Sequence, residues 1–384
     1  MSLTGSVFLT AILAVTVAAF VGAVVLWPRM SGPSAAEIAG RAGLLLVVNA
    51  LVLLTAATRL NADFQFFSDW SDLAGAFDHA PSVSVLHSGT SASKAAGIEV
   101  PSSGAGPAAA PSVLPAVRTG AATVASYTVS GPKSGITGTV VVRLPPGYTS
   151  LRDAQVRYPV LETFQGYPAS PYQWVNTMDL GGVMGSEVTA KRMRTALIVS
   201  PQVEIPKGAD TECVNGPPGT PQLETWLTQD VPNWVANTFR VRTDRGSWAT
   251  VGLSAGGWCA AMATMLHPDR YAAAVVLAGY FHPEFGPFYD PYPASSSLTA
   301  RYDLVSLAEK APPPVALWVQ TSRADRVSYS SSTALLRAAR SPLAVTATVL
   351  QHAGHRLTVW QQLLPSALTW LGADIPGFSP SEGV

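Results

Sequence analysis

The chain has 384 residues with 24 Lys+Arg against 24 Asp+Glu; only 12% of it is charged and 48% is hydrophobic. A formal net charge of zero leaves no basic excess to neutralise phosphates, which argues against a nucleic-acid binder, and the apolar content argues against a disordered chain. A mean hydropathy of +0.24 points to membrane segments, while two cysteines exclude a disulfide-rich mini-domain and a four-cysteine zinc site.

Residues 6–27, SVFLTAILAVTVAAFVGAVVLW, form an uncharged run. As a helix the run would extend roughly 33 Å, enough for a bilayer core of about 30 Å. A second run, residues 42–58, lies between Arg41 and Arg59 and is interrupted only by Asn49. Together they read as a two-span membrane anchor over residues 1–60. A cleaved signal peptide is the competing reading of the first run. It is disfavoured because no Lys or Arg precedes the run and because it is longer than a signal-peptide core. Arg29 and Arg41 fall between the spans, and Asp63, Asp69, Asp72 and Asp78 follow the second. The positive-inside rule then puts the short loop in the cytoplasm and both ends outside.

Residues 61–123 read as an extracytoplasmic flank and an Ala/Ser/Gly/Pro-rich linker, within which VSVLH could be a short strand. From 124 onward the pattern changes. ASYTV and TGTVVVRLPPGY read as paired β-segments, and YPVLETF (158–164) and RTALIVS (194–200) as apolar strands. Residues 222–239 are helical in pattern, with a break or restart expected at Pro232. WATVGLS (248–254) reads as a strand, GWCAAMATMLH (257–267) as a helix and AAAVVLAGY (272–280) as a strand. PVALWVQ (314–320) and VTATVLQ (345–351) add two more strands, and LTVWQQLLPSALTWL (357–371) a closing helix. Short apolar strands alternating with helices predict an α/β fold, a mainly parallel sheet with helices on both faces, over 124–384.

Gly252-Leu253-Ser254-Ala255-Gly256 is a G-x-S-x-G pentapeptide between an apolar strand and a small-residue helix. That is the strand–turn–helix setting of a nucleophile elbow, in which a serine is carried at a tight turn above a helix N-terminus. The competing reading is a plain turn with a solvent-facing serine. A serine hydroxyl needs a base. Of six histidines, His79 and His87 fall in the flank, His267 ends the helix beside Pro268, and His282 lies in a Pro-rich loop. His352 and His355 follow the last strand, and Gly354 frees the loop before His355, which is therefore favoured. A metal site on this His pair lacks a third ligand of suitable spacing.

Asp325, after PVALWVQ, completes the chain order Ser254, Asp325, His355; the alternative is a surface Asp paired with Arg323 or Arg326. The oxyanion would be bound by the backbone N–H of Ala255 and of Tyr167, the latter aimed by Gly166.

RLPPGY, YPVLETFQGYP, GLSAGGWCAAMATMLHPDRYAAAVVLAGY and HAGHRLTVW together resemble the esterase D family of α/β-hydrolases, which includes the secreted actinobacterial mycolyltransferases. The resemblance implies an α/β-hydrolase fold and places the family's serine on Ser254, its late histidine on His355 and its acid on Asp325. One departure stands out: Gln165-Gly166 replaces the usual His-Gly before the oxyanion loop. The two spans lie outside the resemblance.

The sequence thus predicts a membrane-anchored, extracytoplasmic serine esterase or acyltransferase. It would need no cofactor and no metal, and would act on an ester substrate, with lipid and glycolipid esters among the candidates. A catalytically silent hydrolase fold used for envelope interaction is the alternative. Cys213 and Cys259 are expected to form a disulfide, since an extracytoplasmic location permits one and two cysteines allow a single pairing. Two buried free thiols are the competing reading.

Overall fold

The computed structural model describes residues 3, 5–64, 66–67, 69–75, 83–100, 124–150, 153–286, 289–292 and 297–380. The chain divides into two compact units. One comprises Met1–Ser82, Arg323–Arg326 and Gln351–Arg356; the other comprises Val83–Ser322, Val327–Leu350 and Leu357–Val384.

In the first unit, helix α1 (Ser6–Leu26) is followed by a 3₁₀ turn at Trp27–Met30 and helix α2 (Ala35–Phe64). Both are long and apolar enough to cross a membrane by length and composition. Leu46 and Leu53, each 70% exposed, show how much apolar surface α2 leaves uncovered. The two helices meet at Thr16 and Thr55, whose hydroxyls lie 2.7 Å apart. Helix α2 begins at Ala35, well before the apolar run at 42. Ser34 and Glu37 form a reciprocal capping box, the Ser34 N–H donating to Glu37 Oε2 at 3.2 Å while the Glu37 N–H donates to Ser34 Oγ at 3.3 Å. Helix α3 (Trp70–Gly75) follows, with the Asp72 N–H donating to Asp69 Oδ1 at 2.8 Å.

The second unit is built on a nine-stranded sheet. Its strands are β1 (Val83–Gly89), β2 (Val124–Ser130), β3 (Thr137–Arg143), β4 (Val160–Phe164), β5 (Leu197–Pro201), β6 (Trp248–Leu253), β7 (Ala273–Leu277), β8 (Ala316–Ser322) and β9 (Ala344–Leu350). The spatial order is β1-β9-β8-β7-β6-β4-β5-β3-β2. Pairing from β9 across to β5 is parallel, while β1, β3 and β2 join antiparallel. Every residue of β4, β5, β6, β7 and β8 is buried. Successive side chains point to opposite faces, so both faces of this central region are covered, as the apolar runs predicted.

The sheet also takes in chain that the sequence reading assigned to the flank. VSVLH lies within β1, paired with β9 from Val83↔Leu350 to Gly89↔Ala344. His87 therefore belongs to this sheet, its Nδ1 3.2 Å from Thr346 Oγ1. Helix α4 (Ala92–Ala96) follows, and Arg245 Nη1 donates to the Ala96 and Ile98 carbonyls at 2.8 and 3.0 Å. Linker residues 101–123 lie outside the described residues.

Helix α5 (Leu180–Thr189) lies between β4 and β5. The helical stretch at 222–239 is α6 (Leu223–Thr225), a π turn at Trp226–Asp230 and α7 (Val231–Thr238). Pro232 sits in the first turn of α7, where no intrahelical N–H is required. Helices α8 (Ala255–Leu266), α9 (Ser297–Arg301), α10 (Leu304–Lys310), α11 (Tyr329–Ala338) and α12 (Leu357–Asp374) complete the unit. Glu224 of α6 ties three of these regions together. It accepts from Tyr302 Oη at 2.6 Å, His267 Nε2 at 2.7 Å and the Arg301 guanidinium. Burial works to raise its carboxyl, but these donors hold it down at about 2.

Candidate active site

Ser254 stands between β6 and α8 with φ 54° and ψ −127°, a conformation that L residues rarely adopt. Its N–H donates to Leu277 O at 2.9 Å, and its carbonyl accepts from the Gly257 and Trp258 N–H groups at 2.8 and 3.2 Å. The strained residue is thus fixed by backbone on both sides. Its hydroxyl does not cap α8.

Both motif glycines are sterically required. A Cβ on Gly252 would lie 1.8 Å from Gly256 O, and one on Gly256 would lie 2.1 Å from Phe164 O. Those contacts also show how tightly the elbow is seated on the end of β4. Because α8 begins at Ala255, that residue's N–H is one of the first-turn donors without an intrahelical acceptor, which suits it to an anion.

The loop after β4 lies against the elbow: a Cβ on Gly166 would come within 3.4 Å of Ser254 Cβ. Gly166 N–H donates to Gln173 Oε1 at 3.1 Å, and Ala169 N–H to Glu204 Oε1 at 2.7 Å, so the loop carrying Tyr167 is held at both ends. The Tyr167 hydroxyl donates to Gly208 O at 3.0 Å. Gln165, where the family's usual histidine is absent, is buried, and neither polar atom of its amide has a partner among the described residues.

Cys213 and Cys259 are disulfide-bonded, with Cα atoms 5.6 Å apart. The bond joins the loop after β5 to the second turn of α8. Next to it, Trp258 Nε1 donates to Glu212 O at 2.7 Å, and Tyr280 Oη donates to Glu212 Oε1 at 2.6 Å. Burial, with Asp210 nearby, pushes the Glu212 carboxyl well up. The sequence reading missed this carboxyl, because an acid flanked by Thr and Cys in a Gly/Pro-rich loop carries no sign of burial.

In the other unit, His355 Nδ1 lies 2.9 Å from Asp325 Oδ2, and both side chains are buried. In the chain, His355 follows β9 and Asp325 follows β8. His352 is different: its side chain is 69% exposed, and its Nδ1 lies 3.5 Å from Asp69 Oδ2. Next to His355, Arg356 Nη1 lies 2.7 Å from both carboxylate oxygens of Asp72. The sequence reading assigned no role to either residue. His267 is engaged by Glu224, and His79 lies outside the described residues.

The model of the Esterase family (described as "Putative esterase") matches residues 135–371, well over half of the chain. The chain therefore belongs to this esterase family and is a hydrolase enzyme. It is 26% identical over 143 residues, 37% of its length, to an uncharacterised protein of Corynebacterium glutamicum. It is also 35% identical over 65 residues, 17% of its length, to the MPT51 antigen of Mycobacterium leprae. These matches span only 33% and 21% of the two relatives' own lengths. Among solved structures, a ferulic acid esterase is similar at a TM-score of 0.56 and 20% identity, covering 66% of this chain and 98% of that one. The S-formylglutathione hydrolase of Agrobacterium tumefaciens is similar at 0.55 and 17%, covering 65% and 94%. FphF, a fluorophosphonate-binding serine hydrolase of Staphylococcus aureus, is similar at 0.54 and 16%, covering 66% and 99%. At these identities the likeness concerns the fold, which is that of the α/β-hydrolases.

Proposed function

We propose that the protein is a membrane-anchored serine esterase or acyltransferase whose nucleophile is Ser254, whose base is His355 and whose orienting acid is Asp325. The observation that carries the reading is the elbow: a serine at φ 54° heading α8, between two glycines that no other residue could replace without a backbone clash. The buried His355–Asp325 pair supplies the partner such a serine needs.

In this mechanism Ser254 Oγ attacks the acyl carbon while its proton passes to His355 Nε2. The Ala255 and Tyr167 N–H groups receive the charge that develops on the carbonyl oxygen. The bond to the leaving alkoxide then breaks, and His355 returns the proton to it, leaving an acyl-enzyme on Ser254. Water activated by His355 releases the acid; a sugar or lipid hydroxyl in place of water receives the acyl group.

The two apolar helices support anchoring in a membrane, and the placement of Arg29 and Arg41 between them supports a catalytic half outside the cytoplasm. The resemblance of its motifs to the esterase D family, which includes secreted actinobacterial mycolyltransferases, together with relatives in Corynebacterium and Mycobacterium, favours an acyl ester of the cell envelope as substrate.

The test is labelling of the full-length chain with a fluorophosphonate probe, followed by turnover of short-chain esters. Labelling that disappears in Ser254→Ala and falls by orders of magnitude in His355→Ala, but persists in His352→Ala, is the expected outcome. Labelling unchanged in Ser254→Ala would refute it. Protease added to intact spheroplasts should remove the catalytic half; protection until lysis would reverse the orientation.

A further inference from the structure

The loop that carries His355 is held by the segment that follows the second apolar helix. Asn61, near the end of α2, donates from Nδ2 to Phe67 O at 3.0 Å and accepts the Phe67 N–H at Oδ1 at 2.7 Å. That pair of hydrogen bonds ties Phe67 to the end of the helix. Arg356 Nη1 donates to Phe66 O at 3.0 Å and to both Asp72 oxygens, and its guanidinium carbon lies 4.8 Å from the Phe67 ring centroid. The Asp72 side chain is 1% exposed and that of Arg356 14%. A surface pair of this kind would contribute little, but a carboxylate this buried is held to its partner, because separating them leaves an uncompensated charge. Arg356 adjoins His355, whose Nδ1 is tied to Asp325. The contacts therefore run without interruption from the second apolar helix to the acid–base pair.

We infer that Asp72 and Arg356 are positioning residues for catalysis: Phe66, Phe67 and Asp72, beyond the second apolar helix, act as a strap that sets the orientation of the His355 loop. The inference rests on the triad reading above. Neither residue touches substrate; both act through His355. Small displacements of a base are costly because proton transfer requires hydrogen-bond alignment with the nucleophile.

The experiment uses the full-length protein in detergent micelles and compares Asp72→Asn, Asp72→Glu and Arg356→Gln with wild type. It reads the rate of fluorophosphonate labelling at Ser254, kcat and KM on a short-chain ester, and the melting temperature. Asp72→Asn and Arg356→Gln should lose about 10- to 100-fold in kcat and in labelling rate, with KM within about twofold and melting nearly unchanged. Asp72→Glu should recover most of the loss. If Asp72→Asn does not fold, Phe67→Leu, which keeps an apolar side chain but removes the ring under the guanidinium, should still lower kcat several-fold. Wild-type labelling and kcat in the strap variants that fold would overturn the inference while leaving the triad reading intact. A kcat loss matched by a fall in melting temperature and not recovered by Asp72→Glu would also overturn it, since that is the mark of a purely structural role. Labelling that survives Ser254→Ala would instead remove the triad reading, and the strap inference with it.

Discussion

His355 Nδ1 and Asp325 Oδ2 lie 2.9 Å apart although 30 residues separate them in the chain. Each follows its own strand, β9 and β8, and these neighbours run parallel in register from Ala316↔Ala344 to Ser322↔Leu350. Equal register brings the two loops out at the same level, so a short loop on each suffices for the side chains to meet. With Nδ1 donating to the carboxylate, Nε2 carries the lone pair that a general base requires.

Asp325→Asn tests that tautomer. An amide can offer its NH₂ to Nδ1 and so stabilise the tautomer protonated at Nε2, which cannot accept the serine proton. Turnover of a short-chain ester should fall by about 10³–10⁴-fold with the fold intact by circular dichroism. A loss of less than about tenfold would show that Asp325 does not orient the base.

Two glycines of similar appearance should respond to alanine with opposite signs. Gly256→Ala would bring a Cβ to 2.1 Å from Phe164 O and 2.5 Å from Gln165 O, both backbone atoms that cannot move without displacing β4. It should destabilise by about 1–3 kcal/mol or more and abolish labelling. Gly185 of α5 has nothing within 4 Å of a built Cβ, so Gly185→Ala should stabilise by about 0.5–1 kcal/mol. Thermal melts of the two variants side by side decide the matter.

The parallel strands and the turn at Ser254 were legible in the sequence because both are local patterns: apolar runs closed by turn residues, and a pentapeptide between strand and helix whose first glycine answers to Gly256, although Gly256 itself answers to Phe164 and Gln165, about 90 positions earlier. The place of β1 was not. VSVLH sits in low-complexity sequence, and its partner strand β9 lies some 260 positions further along, as His87↔Thr346 shows. Nothing local marks such a pairing. Counting apolar residues placed the start of the second span at 42, but the helix is set by Ser34 and Glu37, a polar signal that hydropathy does not register. Asp72 read as one of four acidic residues after the second span; only its partner Arg356, 284 positions away, shows that it is buried.

Glu162 lies fully buried in β4, accepting from Tyr271 Oη at 2.7 Å, and burial pushes its carboxyl up to about 8. Unfolded, the same group titrates near 4.5. Between these values the folded protein retains a proton that the unfolded chain has lost. Its contribution to stability is therefore complete below about pH 4.5 and is lost as pH rises through about 8. The slope approaches about 1.4 kcal/mol per pH unit inside that window. Glu162→Gln keeps the shape without the charge, so its melting temperature should be the less sensitive to pH from 5 to 9. Glu224, held at about 2, acts on the acid side and leaves this range undisturbed. Parallel pH profiles of variant and wild type would refute the assignment.

The disulfide yields the last prediction. Cys213 and Cys259 are 46 positions apart, and closing a loop of that size stabilises by roughly 4 kcal/mol in the chain-entropy model. The bond also has a local consequence. Glu212 and Cys213 are consecutive residues at φ 50° and 55°, a backbone path that neither side chain favours. They are held there by the bond to α8 and by the Trp258 Nε1 donor to Glu212 O. Because α8 also carries the elbow, reduction should loosen the wall beside Ser254 before it unfolds the sheet. Thiol counting in denaturant without reductant should find no free thiol in the protein as isolated. Dithiothreitol or Cys213→Ser should then lower both the melting temperature and the rate of fluorophosphonate labelling. Two free thiols per chain, or labelling and melting that ignore reductant, would show that the loop is held by its hydrogen bonds alone.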